Sequence, residues 1–202
     1  MALTALALNC SLKSSDDASS TDVLLHQLLD AFREHDVTGD VVRVVDHDVR
    51  PGVTSDEGEG DAWPALRRQV LAADILVLAT PIWLGKPSSV CSRVLERMDA
   101  FLGEEDDRGR IITSDRVAVV VTVGNEDGAH HVAAELYQSL ADVGFTIPAS
   151  AQTYWVGEAM QGTDYKDLDG PPDAVASQTR LVASNAAHLA RILEQSPYPP
   201  SS

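Results

Sequence analysis

The sequence predicts an α/β fold in which a parallel sheet lies between two layers of helices. Five apolar runs of strand length alternate with five segments whose apolar residues recur at helical spacing. Strict alternation of this kind is typical of a parallel sheet with right-handed crossovers. Three of the apolar runs are followed by loops rich in small and polar residues. In an open parallel sheet, such loops bind ligands beyond the carboxyl ends of the strands.

The first elements follow the order strand, helix, strand, helix. Leu3–Asn9 is a nearly continuous apolar run and predicts the first strand, and residues 20–34 carry an apolar stripe at helical spacing. The β-branched run Val41–Val45 predicts the second strand. Residues 46–61 are acidic and contain proline and glycine, which indicates a mobile, solvated surface loop. A helix over residues 61–72 follows.

Two further strand–helix pairs occupy the middle of the chain. Ile75–Ala79 is continuously apolar, as expected for a strand that is buried on both faces of a parallel sheet. Pro87 suits the first turn of the next helix, which we expect to end near Phe101. Val117–Val121 is again continuously apolar and predicts the fourth strand, and residues 129–143 predict the fourth helix.

The last pair completes a single domain. We expect the fifth strand within residues 145–156 and the last helix over residues 173–194. A chain of 202 residues is long enough to bury a core. We therefore expect one domain over residues 1–195 and a disordered tail over residues 196–202.

Charge and composition exclude several classes of function. The net charge of −16 argues against nucleic acid and anionic membrane as partners, since both bind basic surfaces. The two cysteines, Cys10 and Cys91, do not form a disulfide scaffold, and no group of residues has metal-ligand spacing, so we expect no metal site. The apolar N-terminus lacks the basic region of a signal peptide, and no run approaches the ~20 apolar residues of a membrane helix. These features predict a cytoplasmic protein.

Three loops are expected to meet in one pocket. They span residues 10–21, 80–86 and 122–128, after the first, third and fourth strands. In the strand order 2-1-3-4-5 these three strands are neighbours, so their loops lie at one edge of the sheet. No Gly-x-Gly-x-x-Gly follows the first strand, and no Gly-x-x-x-x-Gly-Lys-Ser/Thr is present. A dinucleotide-binding Rossmann domain and a nucleoside triphosphatase are therefore disfavoured.

The first of these loops has the chemistry of a phosphate site. It is rich in hydroxyl groups and leads into a helix that starts near Ser20. Free N–H groups at a helix start attract an anion, and Ser and Thr hydroxyls add donors without adding charge. An ordinary strand-to-helix loop with a serine cap explains the same residues equally well. The loop by itself leaves both interpretations open.

Three motifs resemble one known family. The sequence Ser11-Leu12-Lys13, followed by 19–21, is similar to the phosphate loop of the flavodoxin-like NADPH-dependent FMN reductase family, of multimeric flavodoxin and quinone-reductase type. Thr80–Ser88 resembles its second flavin loop, and Thr122–Gly128 resembles its third. The resemblance implies a flavodoxin-like, doubly wound three-layer fold with a five-stranded parallel sheet of order 2-1-3-4-5. It also implies FMN as cofactor and NADPH or NADH as hydride donor.

The same resemblance implies roles for individual residues. Those expected to bind the phosphate are Ser11, Lys13, Ser19, Ser20 and Thr21. Those expected along the flavin ring are Pro81, Ile82, Trp83, Leu84 and Gly85. Those expected at another edge of the flavin are Thr122, Gly124, Asn125 and Gly128. His130 and Trp155 are candidates for substrate contact, and no catalytic side chain is expected because the flavin carries the chemistry.

The predicted function is an FMN-dependent NAD(P)H oxidoreductase that passes hydride to a quinone, a flavin or a similar small acceptor. The resemblance also implies a homodimer or homotetramer. Asp16 and Asp17 depart from the family pattern. Carboxylates beside a phosphate weaken its binding unless they point to solvent. Two alternatives stay open. One is an electron-carrier flavodoxin reduced by a partner protein, and the other is a flavin-free binding domain.

Overall fold

A computed structural model describes residues 2–159 and 161–200. Its strands are β1 (Leu3–Asn9), β2 (Val37–Arg43), β3 (Ile75–Trp83), β4 (Lys86–Pro87), β5 (Val117–Gly124) and β6 (Gln152–Val156). Its α-helices are α1 (Ser20–Arg33), α2 (Trp63–Ala72), α3 (Ser89–Met98), α4 (Ala129–Asp142) and α5 (Asp173–Gln195). Short 3-10 turns follow β2 and α3 and precede α5. No helix within the described ranges has the length and apolar character needed to cross a membrane.

The sheet has the predicted order. Its neighbours run β2-β1-β3-β5-β6, and all four pairings are parallel. The two-residue strand β4 pairs antiparallel with the end of β3 and lies outside this path. The five long strands therefore have the order 2-1-3-4-5, which is the flavodoxin-like arrangement.

Both faces of the sheet are covered by helices. Side chains of β1 alternate between the two layers, so that Ala7 belongs to the core shared with α1 and α5 whereas Leu8 belongs to the core shared with α2, α3 and α4. Both side chains are fully buried. Burial on both faces explains why the central strands are continuously apolar in sequence.

The second strand lies earlier in the chain than predicted. It spans Val37–Arg43 rather than Val41–Val45, and Val44 begins a 3-10 turn. Val37 pairs with Leu3, so the strand begins level with β1. Gly39 lies inside the strand because Leu29 packs over it, and a Cβ at this position would lie 2.7 Å from Leu29 Cδ2. Glycine is rare in strands, which is why the sequence pattern placed a connection there.

One other predicted boundary changes, and one residue of the predicted tail contacts the domain. β3 continues to Trp83 and returns through the short strand β4, so the second loop is a hairpin extension of the sheet. Tyr198 lies against the folded domain, where its N–H donates to Asp115 (2.8 Å) and its carbonyl accepts from Arg110 (2.9 Å). Tyr198 thus contacts the domain, and the predicted disorder of the tail over residues 196–202 stays a prediction. Residues 201–202 of that tail lie outside the described residues.

The acidic segment after β2 is anchored by a buried ion pair. Asp61 and Arg97 have fully buried side chains, and Arg97 Nη2 lies 2.7 Å from Asp61 Oδ2. Arg97 also donates to the carbonyls of Thr54 (2.9 Å) and Arg50 (3.0 Å). Burial alone would raise the pKa of Asp61, but bonds from Arg97 and from three backbone N–H groups outweigh it and hold the pKa well below its usual range. This part of the predicted solvated loop is thus a fixed structure.

Replacement of Asp61 by asparagine is expected to destabilise the fold by about 3–5 kcal/mol, because it leaves the buried Arg97 charge uncompensated. Urea unfolding measures the loss. Glu59→Gln, an exposed acidic residue of the same segment, is the control and should change stability by less than about 0.5 kcal/mol. The folded-state pKa of Asp61 lies below its unfolded value of about 3.9. Its stabilisation is therefore fully present above that pH and is lost as the pH falls towards the folded-state pKa. Equal stability of the two variants would contradict this role.

Candidate functional site

The ends of β1, β3 and β5 open into a cleft of about 560 Å³. This volume lies within the range of about 300–1,000 Å³ that is usual for small-molecule sites. The residues lining the cleft are Ser11, Leu12, Lys13, Ser19, Ser20, Thr21, Pro81, Ile82, Trp83, Leu84, Val123, Gly124, Asn125, Glu126, Ala159 and Asp164. The three predicted loops therefore meet, and a fourth loop, which follows β6, joins them.

Most of the predicted site residues line this cleft. They are Ser11, Lys13, Ser19, Ser20, Thr21, Pro81, Ile82, Trp83, Leu84, Gly124 and Asn125. The predicted residues outside its lining are Gly85, Thr122, Gly128, His130 and Trp155. Sequence reasoning missed Leu12, Val123, Glu126, Ala159 and Asp164.

Three of the residues outside the lining support the cleft from behind. Thr122 is fully buried, and its hydroxyl accepts from Gln152 Nε2 (2.7 Å). Gly85 and Gly128 form the contact between the second and third loops, because a Cβ at Gly128 would lie 2.8 Å from Gly85 Cα. Gly128 also has a φ of +127°, a conformation that favours glycine.

The two candidate substrate residues lie outside the lining of the cleft. His130 is exposed, and its ring meets Tyr154 edge-on with 5.1 Å between centroids. Trp155 packs on Tyr165 with 5.4 Å between centroids. The predicted contacts of His130 and Trp155 with substrate stay predictions.

The first loop presents hydroxyl groups and helix N–H groups at one end of the cleft. Ser11 and Ser19 are buried, and Ser19 Oγ donates to Ser11 Oγ (3.2 Å). Ser19 precedes α1 without a capping hydrogen bond from its side chain, so first-turn N–H groups of α1 stay available to an anion. Asp16 and Asp17 are both exposed, and neither lines the cleft. The two carboxylates therefore meet the condition, stated above, that they lie in solvent if this loop is to bind a phosphate.

A network below the first loop fixes its shape. The carboxylate of Asp22 lies in the first turn of α1, where it accepts from Asn9 Nδ2 (2.8 Å) and pairs with Arg43 Nη2 (2.9 Å). Arg43 also donates to the carbonyls of Lys13 and Ser14, at 3.0 Å each. Its side chain is only 9% exposed. Arg43 therefore offsets the Asp22 charge and holds the loop backbone at the same time.

Side-chain bonds link the first loop to the second. Ser88 Oγ donates to the carbonyl of Cys10 (2.7 Å), and the Ser88 N–H donates to Thr80 Oγ1 (3.0 Å). Burial raises the pKa of the Cys10 thiol well above its usual value, and the neighbouring Cys91 raises it further. A neutral buried thiol acts as a small apolar side chain.

The second, third and fourth loops are also joined by polar contacts. Glu126 Oε1 accepts a hydrogen bond from the backbone N–H of Leu84. Asn125 Nδ2 donates to Asp164 Oδ1 (3.0 Å), which connects the third loop to the loop after β6. At the rim, Trp83 is 56% and Leu84 91% exposed. Polar contacts therefore join the loops around the cleft, and two apolar side chains lie exposed at its rim.

Residues 3–161 match the family model described as NADPH-dependent FMN reductase. The chain belongs to this family. Membership implies FMN and NAD(P)H as cofactors and places the protein among the flavoprotein oxidoreductases, as the motifs predicted.

Three comparisons show how similar individual proteins are. The 8-demethyl-8-aminoriboflavin-5'-phosphate synthase of Streptomyces davaonensis is 34% identical over 210 residues, which cover 98% of this chain and 81% of that protein. A crystal structure of RosB with the bound intermediate OHC-RP (8-demethyl-8-formylriboflavin-5'-phosphate) has a TM-score of 0.88 and 33% identity, over 98% of this chain and 82% of that one. A Mycobacterium bovis protein named divalent metal cation transporter MntH is 41% identical over 198 residues, which are 95% of this chain. The chain spans 29% of the length of that relative.

The cleft of this FMN reductase family member fits the cofactor of the family. Its phosphate end offers the α1 N–H groups, the hydroxyls of Ser11, Ser19 and Thr21, and the Lys13 ammonium. Its other end is formed by the exposed backbone turn of the second loop. Leu84 has a φ of +53° there, a strained conformation for leucine that is typical of functional loops.

Arg43→Gln is expected to weaken FMN binding about tenfold, because it leaves the Asp22 carboxylate uncompensated near the phosphate and removes donors to the loop carbonyls. Riboflavin lacks the phosphate, so its affinity should fall less. Titration of flavin fluorescence measures both affinities. Arg33→Gln, in the exposed last turn of α1, is the matched control and should change neither. Equal losses for FMN and riboflavin in Arg43→Gln would contradict a role in phosphate binding.

Proposed function

We propose that the protein is an FMN-dependent NAD(P)H oxidoreductase that passes hydride to a quinone, a flavin or a similar small acceptor. One observation supports this most: the loops after β1, β3 and β5 meet in one cleft. Family membership supplies the cofactor and the reductant.

The residues of the cleft divide the binding of FMN between them. Ser11, Lys13, Ser19, Ser20 and Thr21 hold the phosphate with α1 N–H groups. Pro81–Gly85 lies along the ring, where backbone N–H groups other than that of Leu84, which donates to Glu126, can meet the pyrimidine carbonyls. Gly124 and Asn125 cover another edge, while Thr122 and Gly128 hold these loops in place.

Bound FMN supplies the chemistry of the reaction, which is acceptance of hydride from NAD(P)H and its delivery to the acceptor. The protein contributes position and environment. Trp83 and Leu84 present apolar surface at the rim, against which a nicotinamide or a planar acceptor can stack. No acid–base side chain is required for a hydride transfer of this kind, so we assign none.

The visible spectrum of the purified protein tests the proposal. After incubation with FMN and removal of free flavin, the protein should retain a flavin absorption band. Anaerobic NADPH or NADH should bleach that band, and a quinone should restore it. A colourless protein that takes up no FMN would exclude the proposal and favour a flavin-free binding domain. Bound FMN that neither nucleotide reduces, but a reductase protein does, would favour an electron carrier.

A second candidate function is modification of FMN itself. It is favoured by the 34% identity to an 8-demethyl-8-aminoriboflavin-5'-phosphate synthase across 98% of this chain. In this case FMN in the cleft is a substrate rather than a resident cofactor. Mass spectrometry of the flavin recovered after incubation separates the two. A flavin of changed mass favours modification, and unchanged FMN that cycles with NAD(P)H favours the reductase.

We further propose that the protein forms a homodimer or homotetramer in the cytoplasm, where NAD(P)H is available. The exposed apolar side chains at the rim of the cleft, Leu12, Trp83 and Leu84, support a neighbouring subunit that closes the site. Size-exclusion chromatography with light scattering should give at least twice the chain mass of 21.6 kDa. A mass of one chain at all concentrations tested would contradict this assembly.

A further inference from the structure

The loop after β5 places one carboxylate inside the cleft. Glu126 lines the cleft, and its Oε1 accepts a hydrogen bond from the Leu84 N–H of the facing loop. Its second oxygen, Oε2, has no hydrogen-bond partner among the described residues. The Leu84 bond thus orients the carboxylate and leaves one acceptor atom free in the cleft.

The other carboxylates near the cleft differ from Glu126 in their partners. Asp164 accepts from Asn125 (3.0 Å) and lies 3.4 Å from Lys166 Nζ. Asp22 pairs with Arg43. Asp127 is exposed and does not line the cleft. Among the described residues that line it, Glu126 is the carboxylate with no cationic partner, so its charge acts on whatever occupies the cleft.

We propose that Glu126 is a specificity-determining residue that accepts a hydrogen bond from N3–H of the flavin pyrimidine ring. The proposal rests on the proposed binding of FMN in this cleft. The pyrimidine edge of a flavin presents one N–H donor between two carbonyl acceptors. A carboxylate accepts only, so it matches the N–H and rejects a ring that presents another acceptor there. Such a bond to an ionised acceptor is stronger than one between neutral groups.

The charge of Glu126 has a second consequence. A hydride carries two electrons and one proton, so its uptake leaves one additional negative charge on the bound flavin. A carboxylate at the pyrimidine edge repels that charge and makes reduction less favourable. The N-terminus of α4 begins at Ala129, three positions along the chain, and its dipole acts in the opposite direction. Glu126 therefore lowers the reduction potential and makes the reduced flavin a stronger hydride donor.

A comparison of FMN with N3-methyl-FMN tests the hydrogen bond. The methylated flavin lacks the N–H donor and keeps the phosphate. The wild-type protein should bind FMN roughly tenfold to a hundredfold more tightly than the analogue, as expected for a hydrogen bond to a charged group. Glu126→Ala should bring the ratio of the two affinities close to one. Glu126→Gln, which keeps an acceptor oxygen, should restore part of the preference.

Asp127→Asn is the matched control, since it removes a charge from the adjacent, exposed position of the same loop. It should leave the ratio unchanged. A wild-type protein that binds FMN but does not distinguish the two flavins overturns the inference, and so does an unchanged ratio in Glu126→Ala. A wild-type protein that binds neither flavin refutes the proposed function instead.

The midpoint potential of bound FMN tests the charge. Glu126→Gln should have a more positive potential than the wild-type protein, because the repelling carboxylate is gone while an acceptor remains. Asp127→Asn should shift the potential less. A potential in Glu126→Gln that is equal to or more negative than that of the wild-type protein overturns the electrostatic part of the inference. A merely structural role of Glu126 would not produce this ordered shift.

Discussion

The parallel hydrogen bonding of β1, β3 and β5 is the constraint on which the cleft depends. Asn9 at the end of β1 pairs with Ala79, and Pro81 near the end of β3 pairs with Val123. Segments that are far apart in the chain therefore end at the same edge of the sheet. Helices pack on both faces of the sheet next to this edge, and the bonds from Ser88 to Cys10 and Thr80 join the loops beyond the strands. The strand order therefore determines where the ligand site lies, and the side chains of the loops determine its chemistry.

The acidic side chains near the cleft are either exposed to solvent or paired with arginine, apart from Glu126 and Asp164. A chain with a net charge of −16 holds a site suited to an anion. It does so by directing Asp16 and Asp17 to solvent and by pairing Asp22 with the nearly buried Arg43. The charge of Asp61 is also compensated, since its buried carboxylate forms an ion pair with Arg97. The net charge of this protein therefore does not describe the surroundings of the cleft, where Asp22 is paired and Asp16 and Asp17 are exposed.

The sequence was sufficient for the features that rest on apolar patterning. The parallel sheet covered on both faces follows from continuous apolar runs, and the polar loops after three of them indicated the cleft. The strand order itself was implied by the resemblance to the family. The start of β2 was missed because Gly39 has a low strand propensity and its place depends on packing by Leu29. The roles of Arg43 and Glu126 were missed for another reason. Their partners lie in segments distant along the chain, and nothing in the local sequence indicates which distant group a charged side chain will meet.

Two of the three tryptophans occupy very different surroundings. Trp63 is fully buried, with the Arg97 guanidinium 5.8 Å from its ring centre, whereas Trp83 is 56% exposed at the rim of the cleft. Indole emission shifts to longer wavelength in a polar environment, so the two side chains emit in different parts of the spectrum. A shift of the blue side of the emission to longer wavelength therefore reports exposure of Trp63. The buried tryptophan thus gives the protein an internal optical signal for loss of the core around Arg97.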